Sequence, residues 1–181
     1  IQTSEIKIAE QKNVSLVKYL VGSPKIMISG FSYSFILTSC TSFAVVYGLK
    51  IGMEPKKASL LLSAFLFGTI FYVPIGWFCS MVKLRFLMIF GAVLSLCCVI
   101  YIFLFLNTQN IFWLFFCLFV SLSLMKLPTV ILINEKYSNT QRLVANSAFS
   151  RLTLLGSITG LVVVGFLNIT YPQKGLWIAS G

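Results

Sequence analysis

Two cations stand inside otherwise uncharged apolar stretches of this chain: Lys126 in the stretch 111–133 and Arg151 in the stretch 143–168. An ionisable side chain near the centre of a bilayer costs about 2.5–3.5 kcal/mol on insertion scales, and such residues face a bundle interior or water. Lys126 lies eight residues before Asn134, and Arg151 nine residues after Arg142. At a helical rise of about 1.5 Å per residue, both are roughly 12–14 Å from the same membrane surface, which approaches the midplane of a core about 30 Å thick. The four acids of the chain, Glu5, Glu10, Glu54 and Glu135, all lie outside the apolar stretches. Cations without an internal carboxylate need water or an anion. Lys126 and Arg151 are therefore candidate contacts for an anionic or zwitterionic solute. The structural alternative is that each side chain snorkels to the surface, or pairs with a carboxylate elsewhere in a larger protein.

The rest of the reactive inventory is thin. The chain has no histidine, which removes a histidine general base, histidine-ligated haem and histidine metal sites. Cys40, Cys79, Cys97, Cys98 and Cys117 all sit in apolar runs without C-x-x-C spacing, the pattern of buried structural thiols. No metal and no cofactor is implied. A serine nucleophile served by Lys126 is the one enzymatic arrangement left, and no G-x-S-x-G pattern accompanies it. The stretch 26–49 is rich in hydroxyls. At about 100° per residue, Ser34, Thr38 and Thr41 form one stripe along a helix, and Ser29, Ser32 and Ser39 another. Either stripe could line a solute path, or bond to backbone carbonyls and neighbouring helices. Tyr47 reads as an aromatic at the membrane interface.

These residues must be positioned by membrane helices. Of 181 residues, 58% are hydrophobic and 10% charged, against roughly 25% charged residues in a soluble domain. Charges punctuate the chain at spanning intervals. The expected spans are 26–49, 58–82, 86–106, 111–133 and 143–168, with 175–181 an incomplete sixth. Asn107-Thr108-Gln109-Asn110 separates the third from the fourth, and Pro74 and Pro128 are expected to kink the second and fourth. Alternating ten-residue strands, the mark of a β-barrel, are absent from the pattern. The chain starts at Ile1 and ends at Gly181 inside an apolar run, and it reads as a fragment of a longer protein.

The net charge of +10 would suggest nucleic acid in a soluble chain. Here it sorts into a topology signal. With residues 1–25 as a cytoplasmic linker, the inner side holds Lys7, Lys12, Lys18, Lys25, Lys83, Arg85, Lys136 and Arg142. The outer loops hold Lys50, Lys56, Lys57 and Lys174. The excess on the first side follows the positive-inside rule, and no nucleic-acid partner is implied. Lys83 and Arg85 suit anionic lipid.

Three motifs carry a family resemblance. Gly76-Trp77-Phe78-Cys79-Ser80-Met81-Val82-Lys83-Leu84-Arg85 falls at the second helix end and the tight loop after it. Leu127-Pro128, Asn134-Glu135, Arg142 and Ala145-Asn146-Ser147 follow across the fourth and fifth helices. Gly156-Ser157-Ile158-Thr159-Gly160 with Gly165 completes the set. In this order and on these helices, the motifs resemble the C-terminal six-helix half of a major facilitator superfamily transporter, over nearly the whole chain. Ser80 stands where the family places an aspartate, and Leu161 where it often has proline. The resemblance implies an all-α bundle, half of a twelve-helix fold, whose first, second, fourth and fifth helices line a cavity. It implies gating roles at the loop ends for Gly76, Lys83, Arg85, Asn134, Glu135 and Arg142, with Glu135 pairing to Arg142 or Lys136 or remaining a solvated acid. Gly156, Gly160 and Gly165 would permit close helix packing.

The leading expectation is transport of a small solute by alternating access, without enzymatic activity. The partners would be the bilayer, the solute and an N-terminal half of the same protein, in the plasma (inner) membrane. The competing readings are a non-catalytic membrane subunit or transporter relic and, less favoured by the residues present, a membrane-embedded enzyme.

Overall fold

A computed structural model describes residues 21–105 and 110–170. Residues 1–20 of the expected linker 1–25, Asn107 to Gln109 of the divider and the sixth span at 175–181 lie outside the described residues. Six helices follow one another: α1 Pro24–Lys50, α2 Pro55–Ile70, α3 Tyr72–Met81, α4 Leu84–Phe105, α5 Ile111–Lys136 and α6 Asn139–Thr170. No strand occurs among the described residues. Taken together α2 and α3 make one crossing, so five helical segments are long and apolar enough to span a membrane. The outer surface agrees with that solvent. Leu66, Val73, Trp77, Phe86, Ile89, Val162 and Phe166 are all exposed, far more apolar surface than a water-soluble chain tolerates.

Local chemistry sets the joints. Pro24 and Pro55 open α1 and α2 at positions where the missing N–H costs nothing. After α1 the chain reverses on Gly52, at φ +82°. The Met53 N–H donates to the Gly48 carbonyl at 3.0 Å and the Gly52 N–H to the Leu49 carbonyl at 3.1 Å. This is a Schellman closure, which favours glycine at the left-handed residue.

The second crossing is broken rather than smoothly kinked. Helix α2 stops at Ile70 and α3 restarts at Tyr72, and Phe71 donates its N–H to the Gly68 carbonyl at 3.2 Å. Pro74 explains the place: it lacks the N–H that would reach back to the Ile70 carbonyl, and its ring crowds that turn. Pro128, by contrast, lies buried inside an uninterrupted α5. The polar stretch 134–142, expected as a loop, is mostly helix. Helix α5 runs on to Lys136 and α6 begins at Asn139, leaving Tyr137 and Ser138 as the joint. Gln, Glu, Lys and Arg are good helix formers, so backbone hydrogen bonding continues past the apolar segment.

Helix α5 is the hub. Half of its most apolar window is buried, against 17% for α6. It packs on α1, α2, α3 and α4, while α6 lies chiefly along α1. The main core joins Tyr33, Cys40, Ala44 and Tyr47 of α1 to Leu61 and Ala64 of α2 and to Phe115, Leu118, Phe119 and Leu122 of α5. Tyr47, expected at the membrane interface, is thus a core residue.

Glycines allow the closest crossings. A Cβ added to Gly48 would lie 2.9 Å from the Cβ of Ala58, one at Gly68 2.6 Å from the Cβ of Phe119, and one at Gly91 2.8 Å from the Ser121 carbonyl. On α6 a Cβ at Gly160 would lie 2.7 Å from the Phe35 carbonyl, and one at Gly156 would collide with the Phe31 carbonyl. Gly30 of α1 leaves room for the ring of Phe149. Gly165 has only Phe43, at 3.9 Å.

Candidate functional site

Lys126 is carried on α5 between the buried residues Met125 and Pro128, yet its own side chain is exposed. Its ammonium does not run to a helix end. It sits 5.4 Å from the ring centroid of Tyr33 and 5.5 Å from that of Tyr72. Such placement over two ring faces is worth about 0.5–1 kcal/mol in water and about 2 where water is excluded. The two phenols meet each other, Oη to Oη at 3.2 Å. Among the described residues no carboxylate pairs with Lys126.

Beside the two phenols lies a tight crevice with no room for a water molecule, and Lys126 is not part of its wall. Tyr33 and Leu37 line it from α1, Phe65 and Thr69 from α2, Tyr72 from α3, and Phe119, Leu122 and Ser123 from α5. The break at Phe71 therefore falls at the cleft, with Thr69 on one side and Tyr72 on the other. Phe65 and Phe119 meet edge to face at 5.3 Å. The aliphatic hydroxyls of the lining serve their own helices: Thr69 donates to the Leu66 carbonyl at 2.6 Å and Ser123 to the Phe119 carbonyl at 2.9 Å. Ser123 precedes Lys126 by one turn, and its bond to Phe119 turns the hydroxyl along its own helix.

The hydroxyl stripes of α1 lie elsewhere. Thr38 donates to Ser157 of α6 at 3.0 Å, Thr41 to the Leu37 carbonyl at 2.9 Å, and Ser39 to the Phe35 carbonyl at 2.6 Å. Ser29 meets Thr129 of α5 at 3.2 Å. Ser34 is buried. None of Ser34, Thr38 and Thr41 lines the cleft.

Arg151 is not brought to Lys126 by any shared partner. The α1-facing side of α6 is marked by Gly156 and Gly160, and Arg151, five residues before Gly156, is about 140° around the helix from it. It is exposed among the exposed residues Ser150, Leu154 and Leu155. The sequence places the two cations at similar depth on consecutive helices. Helix α6 instead packs mainly on α1, and α5 meets it only weakly, through Ile133, Ala145 and Ala148.

The gating candidates fall into two groups. Successive crossings alternate in direction, so the α3–α4 turn and the α5–α6 joint lie at the end where α1 begins. At the joint, Lys136 donates to the Gly22 carbonyl and to Ser23 Oγ at 2.6 Å, and Ser23 Oγ meets Tyr137 Oη at 2.8 Å. Arg142 Nε donates to the Tyr137 carbonyl at 3.0 Å, and Asn146 Nδ2 to Asn134 Oδ1 at 3.0 Å. Glu135 is exposed and takes neither cation, since Lys136 and Arg142 are spent on backbone and hydroxyl acceptors. The one ion pair among the described residues is Glu54 to Lys57 at 3.5 Å, exposed at the opposite end. At the α3–α4 turn, Gly76, Lys83 and Arg85 are exposed. Ser80 donates to the Trp77 carbonyl at 2.6 Å.

The described residues hold no cluster of three or more metal-ligating side chains. Tyr33, Tyr72, Thr69 and Ser123 were not singled out by sequence. Only the placement of Tyr33 four residues before Leu37, one helical turn apart on α1, set a phenol beside an apolar side chain. Compared with known proteins, the chain matches no family model and no curated protein closely enough to count as a relative.

Proposed function

We propose that this chain is the C-terminal half of a major facilitator type transporter, moving a small solute across a membrane by alternating access, with Lys126 in the solute site. The observation that carries the reading is an ammonium held about 15 Å from the end of α5 at a helical rise of 1.5 Å per residue, over two phenol rings, beside a cleft walled by three crossings. An ionisable residue within a membrane span is the usual mark of a solute or ion pathway. The break at Phe71 adds a joint beside that site. The polar cluster of Ser23, Lys136 and Tyr137 adds a closure that ties the start of α1 to the end of α5. The basic excess favours a cytoplasmic position for that end by the positive-inside rule, and the remaining half of the bundle supplies the opposite wall. An enzymatic role gains nothing from the site, where Lys126 faces rings rather than a serine hydroxyl.

The test is solute flux in proteoliposomes holding the complete protein. Saturable uptake that Lys126→Ala and Lys126→Met abolish, with unchanged expression and folding, is the expected result. A complete protein that moves no solute, or wild-type rates in both variants, would leave a non-catalytic membrane subunit as the better reading.

A further inference from the structure

Two basic joints at one end of the bundle use their cations differently. At the α5–α6 joint, Lys136 and Arg142 are engaged by backbone and hydroxyl acceptors. At the α3–α4 turn, Lys83 and Arg85 are exposed and have no hydrogen-bond or ion-pair partner among the described residues. We infer that this turn is a docking site for an anionic phospholipid, with the headgroup held by Lys83 and Arg85 and the acyl chains laid along the outer faces of α3 and α4. The inference needs only a membrane-spanning bundle and stands apart from the transporter reading.

Charge gives the site its sign. Glu135 is the one acid among the described residues at this end, and it forms an ion pair with neither cation. Lys83 and Arg85 are two residues apart at the start of α4, so two unneutralised charges stand together where the helices leave the membrane. Cations in that position draw anionic lipid. An anionic headgroup brings a net negative charge to them. A zwitterionic headgroup brings an ammonium as well, which the same two cations repel.

The surface below the charges suits acyl chains. Arg85 heads a row of exposed residues at helical spacing, Ile89, Val93 and Leu96. From Arg85 to Leu96 is about 16 Å at a rise of 1.5 Å per residue, roughly one leaflet of a 30 Å core. On α3, Trp77 and Met81 are exposed on the approach to the same turn. Trp77 lies five residues before Val82, about 7–8 Å below the turn, at the level of an interfacial aromatic belt. On the inner side, Ile75 and Cys79 of α3 and Leu84 and Leu87 of α4 pack against α5. That packing leaves the outer faces to lipid.

A second copy of the chain fits this surface poorly. An isologous contact centred on the turn would set Lys83 and Arg85 of one chain against those of the other.

Fluorescence quenching by brominated lipid tests the inference on the complete protein, with Trp77 kept as its one tryptophan. The protein is reconstituted in phosphatidylcholine bilayers doped with brominated phosphatidylglycerol or with brominated phosphatidylcholine. Quenching of Trp77 is expected to show a preference of about twenty-fold for the anionic lipid, about five-fold from each cation. Lys83→Ala and Arg85→Ala should each lower that preference by about five-fold, and the double variant should bring it close to one. Lys83→Arg and Arg85→Lys should keep most of it. Quenching by brominated phosphatidylcholine should be the same in the double variant as in the parent, which shows that the variant is folded and inserted. Equal quenching by the two lipids in the parent protein, or a preference that survives in the double variant, would overturn the inference.

Discussion

Helix α1 has two faces that are built on different principles. One side, at Phe31 and Phe35, lies against the glycines of α6 so closely that backbone meets backbone. The other, at Tyr33 and Leu37, lines a cleft and meets a cation through ring faces. The residues are only two apart in sequence, which is about 200° around a helix. The seam with α6 gains its stability from dispersion between surfaces with no side chain between them, the usual device where lipid supplies no hydrophobic drive. The other side is joined through side chains: two phenols stand under a lysine where leucines could otherwise pack. A helix clamped by backbone contact on one side and joined by side chains alone on the other can serve as a fixed wall against which α2, α3 and α5 shift.

The contrast is broken most forcefully at the seam. Gly156→Leu should be the most damaging single change, because its side chain would enter the Phe31 carbonyl. Overpacking of this kind costs about 1–3 kcal/mol, read as a lower unfolding midpoint in detergent or loss of folded protein. Gly76→Leu, with nothing within 4 Å of its Cβ, should leave the midpoint unchanged. Equal losses at both positions would mean that the glycines are not what brings α6 onto α1.

Next in size is the cleft. Lys126→Met should lower solute flux by about ten-fold or more while raising the unfolding midpoint, since it removes a cation from an apolar helix. Opposite signs for stability and function are the signature of a residue kept for its chemistry. A Lys126→Met protein that unfolds more readily would make the lysine a structural member instead.

Much of this contrast could be read from the sequence, and the missing parts have physical reasons. Spanning segments follow from composition alone, because every backbone group in lipid must be bonded within its own helix. Their ends were less visible. Asn134 and Arg142 are polar and yet helical, since polarity marks where the bilayer stops and not where the helix does. The clustered Gly156 and Gly160 stood out by their spacing. Gly48, Gly68 and Gly91 did not, because a lone glycine carries no periodic signal and its partner lies on another helix. The same limit applies to the site. Lys126 is conspicuous as a charge in an apolar run, while Tyr33 and Tyr72 are 39 residues apart and meet only through the packing of two crossings. The hydroxyl-rich pattern of α1 pointed to the wrong side of the helix, since short hydroxyls bond so readily to their own backbone that their number says little about exposure.

Smaller effects sharpen the cleft. Tyr33→Phe and Tyr72→Phe each remove one side of the phenol pair and leave the ring under Lys126. Each should cost about 0.5–1.5 kcal/mol in stability or solute affinity, and the double variant should cost little more than either alone, because both delete the same bond. Full additivity, measured by unfolding midpoints and by binding, would show that the two hydroxyls act separately.

The smallest expected effect is at the second cation. Arg151 is exposed, about 140° from the glycine side of α6, and shares no partner with Lys126. If the cleft is the site, Arg151→Ala should change solute binding by less than about two-fold, within roughly 0.5 kcal/mol. Its consequences should be confined to expression or insertion, where an arginine on an apolar helix carries its own cost. A ten-fold loss of binding with intact folding would place Arg151 in the solute path. The path would then run along the outer side of α6 as well, and the division of α1 into a closed face and a working face would no longer describe where the solute goes. Measuring Lys126→Ala, Arg151→Ala and the double variant together decides between the two. Independent sites give additive losses, whereas two cations gripping one anion give a double variant no worse than the weaker single.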